Sequence, residues 1–595
     1  MSDPFILLDD ARPEGASPAR LYEHPRELVV ARRVEEVLPA LERIAALQSE
    51  GAELAGYFAY EAGLALESRL KPRTATRSGA AGPLVWFGAF DSYHEIPADR
   101  VPAWLAERGG PGLAQIGPLE PQLSPGGYAR AFTELQEQIA AGDIYQANLT
   151  FPLAGSYRGD PLALYAAARP AAGAGYGGVL FDGTHWLLSF SPELFFAERE
   201  GAALVKPMKG TRPRGRDAAE DAELKEELAA SAKDRAENLM IVDLLRNDLS
   251  RVAEAGSVKV DHPFAVESYP TVHQMVTTVR ARLQDGMGAV DMLRALFPCG
   301  SITGAPKIRA MELIDSAERD ARGPYCGAIG RIDTGGEAAF NVAIRTLRLT
   351  PGENQRGRAV LGVGSAIVAD SEVMTEWREC LVKGGFVRMN AGGADLIETM
   401  RFTPEEGVPL LELHLERIKA SASELGFAFD RHAVRNAIQA LCFEADAPAR
   451  LRLLASRGGA YSLELSALPA PLTQPLACAV LALPVDPGDW RLRHKSSDRG
   501  FYDAGLKAAQ AAGADEALFL RDDGLVTEGC FTSLFVERGG QLLTPPARLG
   551  LLPGVLRRSL IEAGRAVEAE LTLDDLKDGF LVGNALRGLM KAKLL

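Results

Sequence analysis

The sequence has few cysteines and no basic excess. Its 595 residues include six cysteines and no Cys-x-x-Cys pair, which argues against a disulfide framework and a structural zinc site. The net charge of −14 argues against general affinity for nucleic acid or an anionic membrane, because both require a basic field. No basic leader with an apolar stretch opens the chain, and no run of eighteen apolar residues occurs. We therefore expect a soluble cytoplasmic protein without nucleic-acid or membrane partners.

The chain is too long for one hydrophobic core, and its 47% hydrophobic residues provide material for more than one. Glycine pairs at Gly384-Gly385 and Gly392-Gly393 interrupt the pattern after Lys383 and indicate a domain boundary. The predicted segments are a first domain over 1–385, whose N-terminal region is 1–120, a linker over 386–394, and a second domain over 395–595.

The first domain alternates predicted strands and helices. Asp182-Gly183 separates two apolar runs, 178–181 and 185–190, and predicts a hairpin that ends at Ser191-Pro192-Glu193. A stretch rich in Ala, Glu, Lys and Leu without internal Gly or Pro predicts one long helix over 218–252. The second domain has a predicted helix over 411–425 and a strand-rich half. We expect a mixed α/β, multidomain fold.

Two carboxylate pairs stand at i, i+3 on predicted helices, Asp234 with Glu237 and Glu376 with Glu379. Such pairs suit Mg²⁺, which uses one or two protein carboxylates and completes its shell with water and substrate oxygens. Glu237 and Glu379 are therefore candidate ligands from two helices. A solvated helix face is the alternative, in which Lys383 is only the salt-bridge partner of Glu379.

Two lysines are candidates for reactive amines, and they lie in different domains. Lys209 stands in Pro207-Met208-Lys209-Gly210-Thr211, shortly after Glu193, and Lys495 stands in Arg493-His494-Lys495-Ser496-Ser497, ahead of Glu528-Gly529. A desolvated lysine beside another cation is neutral enough to act as a nucleophile. Taken alone, the pattern around Lys209 favours an ordinary surface-loop lysine over a catalytic one. Two such amines predict two chemical steps.

Three strings in the first domain carry a resemblance to a known family. They are Phe297-Pro298-Cys299-Gly300-Ser301-Ile302-Thr303-Gly304-Ala305-Pro306-Lys307, Asp243-Leu244-Leu245-Arg246-Asn247-Asp248-Leu249 and Phe340-Asn341-Val342-Ala343-Ile344-Arg345-Thr346. Over residues 5–385 the chain resembles the chorismate-utilising enzymes, which implies their sandwich-like α/β fold and chorismate as substrate. The resemblance implies that Glu237 and Glu379 hold Mg²⁺ against the ring carboxylate, and that Tyr325 and Arg345 grip the enolpyruvyl carboxylate. It also implies further substrate-binding residues: His273 near the ring, Thr303, Gly304, Gly362, Gly364 and Lys383.

Lys209 discriminates within that family. Pro-x-Lys-Gly-Thr is the pattern of members that aminate chorismate at C4, whereas isochorismate-forming members place a lysine where this chain has Gln146. The resemblance implies that Lys209 attacks C2 while Glu193 protonates the departing C4 hydroxyl, and that ammonia then adds at C4 and expels the lysine. The chain has no Gly-x-Cys-x-Gly nucleophile elbow, so a separate glutaminase subunit is the implied source of ammonia.

The second domain, residues 395–595, resembles the class IV, fold-type IV pyridoxal phosphate enzymes, which include D-amino-acid aminotransferases and 4-amino-4-deoxychorismate lyase. The cofactor needs an amine, a partner for its ring nitrogen and donors for its phosphate. The resemblance assigns these roles to Lys495, Glu528 and Arg417, with backbone amides near residues 552–556 assisting. One departure is Thr532-Ser533, where many relatives have Ser-Asn. Class IV relatives are commonly dimers, so a homodimer is a candidate assembly.

The combined prediction is a fused transferase and lyase. Its first domain forms 4-amino-4-deoxychorismate, and its second eliminates pyruvate through a pyridoxal phosphate imine to give 4-aminobenzoate for folate synthesis. One alternative joins the same first domain to an amino-acid aminotransferase. The other makes the second domain a catalytically silent interaction module.

Overall fold

The computed structural model describes residues 3–71, 82–109, 114–215, 217–269, 272–353, 356–391, 394–443, 445–472 and 475–595. The chain forms two compact units, Met1–Gly392 and Gly393–Leu595. Among the described residues, no helix has both the length and the apolarity needed to cross a bilayer.

The strands of the first unit are Phe5–Asp9 (β1), Ala19–Glu23 (β2), Glu27–Ala31 (β3), Glu53–Phe58 (β4), Val85–Phe90 (β5), His94–Ile96 (β6), Gln115–Ile116 (β7), Glu120–Pro121 (β8), Gln146–Arg158 (β9), Gly177–Phe181 (β10), Trp186–Ser189 (β11), Leu194–Arg199 (β12), Ala202–Val205 (β13), Met208–Pro213 (β14), Lys259–Ser268 (β15), Val272–Arg282 (β16), Gly304–Ala305 (β17), Ala328–Ile332 (β18), Ala338–Val342 (β19), Thr346–Pro351 (β20) and Arg356–Ile367 (β21). Its helices are Val37–Ser49 (α1), Gly63–Leu66 (α2), Val101–Gly109 (α3), Pro125–Ala140 (α4), Pro161–Ala172 (α5), Ala218–Ala230 (α6), Ala232–Ser250 (α7), Ala289–Leu296 (α8), Lys307–Ala317 (α9) and Val373–Ala391 (α10).

Two antiparallel sheets organise the first unit. One has the order β17-β9-β21-β20-β11-β10-β1-β2-β6, with β7 and β8 also paired to β9, and the other has the order β14-β16-β13-β12-β19-β18-β4-β5-β3, with β15 paired to β16. Buried side chains from both sheets, including Ile6, Tyr57, Trp86 and Leu180, form a shared core. The outer face of the first sheet packs on α3, α4, α5, α9 and α10, and that of the second packs on α1, α7 and α8. The unit is therefore a sandwich of two sheets between helical layers.

The strands of the second unit are Leu396–Phe402 (β22), Ala449–Ala455 (β23), Tyr461–Ala467 (β24), Leu476–Ala482 (β25), Glu516–Leu520 (β26), Val526–Gly529 (β27), Ser533–Arg538 (β28), Gln541–Thr544 (β29), Ala566–Glu568 (β30), Phe580–Asn584 (β31) and Gly588–Leu594 (β32). Its helices are Leu411–Leu425 (α11), Arg431–Phe443 (α12), Trp490–Arg493 (α13), Gly500–Ala511 (α14) and Val555–Glu562 (α15). One sheet has the order β22-β23-β24 and the other β27-β26-β25-β32-β31-β28-β29-β30.

The structure confirms the mixed α/β, multidomain fold and the hairpin around Asp182-Gly183, which pairs β10 with β11. The predicted single helix over 218–252 is wrong, because it is two helices that meet at Ser231. Ser231 is extended, and its hydroxyl accepts a hydrogen bond from the Asp234 amide at 3.3 Å. A serine that caps a helix in this way begins a new helix instead of continuing the old one.

The segment predicted as a linker, 386–394, is helical up to Ala391, because α10 runs through Gly384-Gly385. Glycine costs about 1 kcal/mol relative to alanine inside a helix. Here packing offsets that cost: a β-carbon on Gly384 would lie 2.8 Å from Leu153 Cδ1, and Trp377 and Val387 of the same helix are buried. Tertiary packing therefore overrides the local glycine pattern.

Candidate active sites

Lys209 lies in an irregular part of β14, where the pairing with β16 shifts register between Met208 and Thr211. Burial lowers the pKa of the Lys209 ammonium, with Lys383 acting in the same direction, while the carboxylates of Glu237, Glu193 and Glu379 oppose the shift. The net effect lowers the pKa and raises the fraction of neutral amine. The predicted nucleophile Lys209, the predicted acid Glu193 and the predicted metal ligands Glu237 and Glu379 are thus close enough for their charges to interact. These four residues form the Lys209 cluster.

Glu193 lies between β11 and β12 and is only 4% exposed. Burial raises the pKa of its carboxyl to about 7, although Ser301, Lys209 and the Met208 amide act to lower it. Within the described part of the chain, Glu193 Oε1 has no hydrogen-bond partner. A carboxyl that is partly protonated at neutral pH and has an unpaired oxygen is suited to donate a proton to a bound substrate.

The two members of each carboxylate pair have different neighbours. Glu237 on α7 and Glu379 on α10 both act on Lys209, and the charge of Glu379 helps raise the pKa of Glu237, for which burial is the larger cause. Asp234 accepts a hydrogen bond from Arg212 at 3.2 Å, and Glu376 accepts one from Ser371 at 2.7 Å. Asp234 and Glu376 therefore have hydrogen-bond partners outside the group formed by Lys209, Glu237 and Glu379.

The Lys383 ammonium forms an ion pair with Glu379 at 2.6 Å and donates to the Gly364 carbonyl at 3.0 Å. The described residues contain no group of three or more metal-ligating side chains. Mg²⁺ does not require such a cage, because it usually keeps several waters and takes oxygens from a substrate. The Glu237 and Glu379 carboxylates, drawn from two helices, fit that donor set.

Arg345 lies between β19 and β20 in a left-handed conformation with φ of 49°. Burial lowers the pKa of its guanidinium, and no carboxylate in the described residues forms an ion pair with it. The Tyr325 ring packs against Gly362 of β21, where a β-carbon would lie 2.2 Å from ring atoms. A largely desolvated, unpaired guanidinium is a natural site for a substrate anion.

Other predicted substrate positions lie where backbones approach closely. Gly304 pairs with Ala147, and a β-carbon there would lie 2.1 Å from the Gln146 carbonyl oxygen. Thr303 is fully buried and donates to the Cys299 carbonyl at 3.1 Å. Sequence reasoning gave Gln146 no role of its own, yet its side-chain amide is fully buried and both polar atoms lack partners in the described residues.

His273 is fully buried on β16, and both of its ring nitrogens are engaged by protein groups. Nε2 lies 2.9 Å from Asp221 Oδ1, and Nδ1 lies 2.9 Å from the Ser268 hydroxyl. Among the described residues, no hydrogen bond joins His273 to Lys209 or Glu193. In this structure the histidine is tied to α6 and β15 instead of the reactive cluster.

The second unit contains a cavity of about 490 Å³ lined by Lys495, Glu528 and Arg417. Burial lowers the pKa of the Lys495 ammonium to about 7, with Arg417 acting in the same direction and Glu398 opposing it. The Lys495 carbonyl accepts a hydrogen bond from the Ile397 amide at 2.9 Å, which fixes the lysine to β22. The structure therefore brings the three predicted cofactor residues to one cavity.

Glu528 is 4% exposed, and burial raises the pKa of its carboxyl to about 8. Its Oε1 accepts hydrogen bonds from the Tyr502 hydroxyl at 2.5 Å and from the Leu552 amide at 3.0 Å. These bonds hold the carboxyl at the cavity wall.

Arg417 forms a two-point ion pair with buried Glu398, with Nε–Oε1 of 2.8 Å and Nη2–Oε2 of 2.6 Å. His414 Nδ1 lies 2.6 Å from the same carboxylate, and Arg417 Nη1 donates to the Pro553 carbonyl at 3.2 Å. Glu398 was not predicted as part of the site. The sequence pattern that could have indicated Glu398 is a charged residue on the face of β22 that otherwise buries Leu396, Met400 and Phe402.

Thr532 and Ser533, which differ from the Ser-Asn of many relatives, both make specific contacts. The Thr532 hydroxyl donates to Glu516 at 2.9 Å, and the Cys530 amide donates to the same carboxylate at 3.0 Å. Ser533 lies beside Gly554, where a β-carbon would lie 2.6 Å from the Ser533 hydroxyl. Thr532 therefore stabilises the turn after Glu528, and Ser533 contacts the segment before α15.

The second cavity fits pyridoxal 5′-phosphate in size and in chemistry. Its volume is within the usual range for small-molecule sites. Lys495 would hold the aldehyde carbon, Glu528 the ring nitrogen, and Arg417 with the amides at the start of α15 the phosphate. The Ser496 hydroxyl and His414 Nε2 are buried and lack partners in the described residues, which leaves polar groups for a bound molecule.

The fold and these sites define a protein of two compact units with one candidate active site in each. Residues 3–388 match the family described as chorismate binding enzyme, and residues 395–595 match amino-transferase class IV. The chain therefore belongs to the chorismate binding enzyme family, with a class IV domain fused after it.

Several relatives are named for one activity. The chain is 38% identical over 348 residues to aminodeoxychorismate synthase component 1 of Salmonella typhimurium, covering 55% of this chain and 74% of the relative. It is 44% identical over 256 residues to aminodeoxychorismate synthase component 1 of Klebsiella aerogenes, covering 43% of this chain and 56% of that relative. The match to the Klebsiella protein thus spans only about half of its length. Anthranilate synthase component I from Streptococcus pneumoniae has a similar fold, with a TM-score of 0.54, 24% identity, and coverage of 63% of this chain and 93% of that one.

Proposed function

We propose that this enzyme makes 4-aminobenzoate from chorismate in two steps, one in each unit. The observation that carries the proposal is the cluster around Lys209, in which a lysine of lowered pKa lies among Glu193, Glu237 and Glu379. The second unit adds another lysine of lowered pKa, Lys495, in a cavity of cofactor size.

In the first step, the Lys209 amine forms a bond to C2 of chorismate, both ring double bonds shift by one position, and the C4–O bond breaks. Glu193 donates a proton to the departing hydroxyl, which leaves as water, and this role suits a carboxyl with a pKa of about 7. Ammonia then adds at C4, both double bonds shift back, and the Lys209 amine leaves C2. The sum is chorismate and ammonia to 4-amino-4-deoxychorismate and water.

Binding of chorismate is assigned to charged and polar groups of the first unit. Glu237 and Glu379 would hold Mg²⁺, which would in turn bind the ring carboxylate. Arg345 and Tyr325 would bind the enolpyruvyl carboxylate, and the guanidinium is suited to this because no protein carboxylate pairs with it in the described residues. His273 would act in this step only by exchanging its bonds to Asp221 and Ser268 for substrate contacts.

The second step removes pyruvate from 4-amino-4-deoxychorismate. Pyridoxal 5′-phosphate, when bound, withdraws electrons from the attached substrate and so allows the enolpyruvyl C–O bond to break and the ring to become aromatic. Lys495 would hold the cofactor and then move protons, for which a pKa of about 7 is suited. Glu528 would orient the cofactor ring through a carboxyl that Tyr502 and the Leu552 amide hold in place.

Ammonia for the first step would come from a separate glutaminase subunit. The term component 1 in the names of the Salmonella and Klebsiella proteins is consistent with such a second subunit. An amino-acid aminotransferase in the second unit is the rival activity. It requires that an amino donor and a keto acid cycle the cofactor, whereas pyruvate elimination requires neither.

The test is incubation of the purified protein with chorismate, ammonium and Mg²⁺, with products identified by mass and chromatography. We expect 4-aminobenzoate from the wild type and none from Lys209→Met. Lys206→Met is the matched control, because Lys206 lies three residues earlier and pairs with Glu267 at 2.6 Å. Formation of anthranilate, or unchanged 4-aminobenzoate from Lys209→Met, would overturn the proposed first step.

A further inference from the structure

The lining of the second cavity is strongly basic. Six arginines line it: Arg417, Arg450, Arg452, Arg491, Arg499 and Arg587. Three of these pair with carboxylates, Arg417 with Glu398, Arg491 with Asp489 and Asp498, and Arg499 with Asp503. The other three, Arg450, Arg452 and Arg587, form no ion pair within the described residues. The cavity therefore holds three guanidinium groups that form no ion pair with the residues that the structure describes.

Two of these arginines are placed by strand geometry. Arg450 and Arg452 alternate along β23 with Leu451 and Leu453, both of which are fully buried on the opposite face. Residues two apart on a strand point to the same side at a spacing of about 7 Å. Both arginines are therefore fixed on the cavity face of β23 by the packing of the leucines between and beside them.

The hydrogen bonds of Arg450 and Arg587 are to neutral acceptors, which do not balance the charge of a guanidinium. Arg450 Nε donates to the Ser466 hydroxyl at 3.0 Å, and Arg587 Nη1 donates to the Ala470 carbonyl at 2.8 Å. Arg452 stands opposite Glu464 in the β23–β24 register, yet no ion pair joins them in the described structure. Arg452 is also close enough to Lys495 to help lower the pKa of that amine.

The cofactor alone does not account for this charge. Its phosphate is assigned to Arg417 and the α15 amides, and the acids of the lining, Asp498, Asp503 and Glu528, already have protein partners. One substrate carboxylate requires one arginine, because a guanidinium binds a carboxylate at two points. Three unmatched arginines exceed the need of a monocarboxylate such as a simple neutral amino acid.

We propose that Arg450, Arg452 and Arg587 make the second site selective for an amine that carries two carboxylates. This inference rests on the second step proposed above and names its substrate class. 4-Amino-4-deoxychorismate is such a dianion, with a ring carboxylate and an enolpyruvyl carboxylate.

The same arginines should favour release of the products over release of the substrate. Breaking the enolpyruvyl C–O bond divides the dicarboxylate into two monocarboxylates, pyruvate and 4-aminobenzoate. Each product keeps only part of the arginine contacts of the substrate. Since a hydrogen bond to a charged group contributes about 1.5–3 kcal/mol, each product is expected to bind roughly tenfold to hundredfold more weakly than the substrate.

The test compares two probes that share a ring and differ in one carboxylate, isophthalate and benzoate, as competitive inhibitors of 4-aminobenzoate formation from supplied 4-amino-4-deoxychorismate. Binding is also followed directly through the absorbance of the bound cofactor. We expect isophthalate to bind at least about tenfold more tightly than benzoate to the wild type. Arg452→Gln and Arg450→Gln should each reduce that preference, and Arg452→Lys should restore part of it.

Arg401→Gln is the matched control, because Arg401 pairs with Arg450 in the register of β22 and β23, is exposed, and does not line the cavity. It should keep the preference. Equal binding of both probes by the wild type, or an unchanged preference in Arg452→Gln and Arg450→Gln with full cofactor content, would overturn the inference. A wild type that prefers isophthalate but forms no 4-aminobenzoate would instead contradict the proposed second step and leave the selectivity in place.

Discussion

Glu193→Gln should make the protein more stable at high pH while removing most first-step activity. At 1.36 kcal/mol per pH unit, the rise of the Glu193 pKa from 4.5 to about 7 means that ionised Glu193 costs roughly 3 kcal/mol of folding free energy. The folded state binds the proton more tightly than the unfolded state. Stability from this group is therefore fully present below pH 4.5, falls as the pH rises towards 7, and is absent above it. Glutamine has no charge to desolvate and does not incur this loss.

The assay is the thermal unfolding midpoint of wild type and Glu193→Gln at pH 5.5 and pH 8. The wild type should lose roughly 2 kcal/mol between these pH values through Glu193, which corresponds to about 2 °C for a domain of this size. The variant should lack that part of the decline, and Glu35→Gln, at an exposed position, should behave as the wild type. Formation of 4-amino-4-deoxychorismate should fall about 10²–10⁴-fold in Glu193→Gln. Identical pH dependence of the two midpoints would refute the argument that Glu193 is buried at a cost.

Three further variants test other residues predicted to bind chorismate or Mg²⁺, or to contact such a residue. Arg345→Gln should raise KM for chorismate roughly tenfold to hundredfold, because a charge-assisted bond to a carboxylate is lost, and steady-state kinetics would show an unchanged KM if that role is wrong. Gly362→Ala should displace the Tyr325 ring and lower the free energy of unfolding by about 1–3 kcal/mol, and an unaltered midpoint would contradict the close contact. Glu237→Gln should raise the Mg²⁺ concentration for half-maximal rate at least about tenfold, whereas Asp234→Asn on the same helix should not; equal Mg²⁺ dependence of both would count against the metal assignment.

Local sequence patterns predicted the elements whose causes are local. The hairpin around Asp182-Gly183 follows from turn chemistry, and the helix Leu411–Leu425 follows from its apolar period. The break at Ser231 and the continuation of α10 through Gly384-Gly385 were not predicted. The break at Ser231 depends on the hydrogen bond by which the Ser231 side chain caps the second helix. The continuation of α10 depends on the close packing of Leu153 against Gly384.

In the candidate sites too, residues within local motifs were predicted and residues that depend on tertiary contacts were not. Lys209, Glu193 and Lys495 were predicted because short strings around them resemble known families. Glu398 and Tyr502 were not, because each becomes part of a site only through contacts distant in sequence: Glu398 with Arg417, nineteen residues away, and Tyr502 with Glu528, twenty-six residues away. The three arginines of the second cavity that form no ion pair in the described residues likewise come from distant segments, Arg450 and Arg452 from β23 and Arg587 from the turn before β32.

The most direct test of the two-step account is the product that Lys495→Ala makes from chorismate, ammonium and Mg²⁺. We predict that the variant accumulates a compound with the mass of 4-amino-4-deoxychorismate and forms no 4-aminobenzoate, because its first unit is intact and its second lacks the amine. Continued formation of 4-aminobenzoate, or failure to form the intermediate in a folded protein, would contradict the assignment of the two lysines to successive steps.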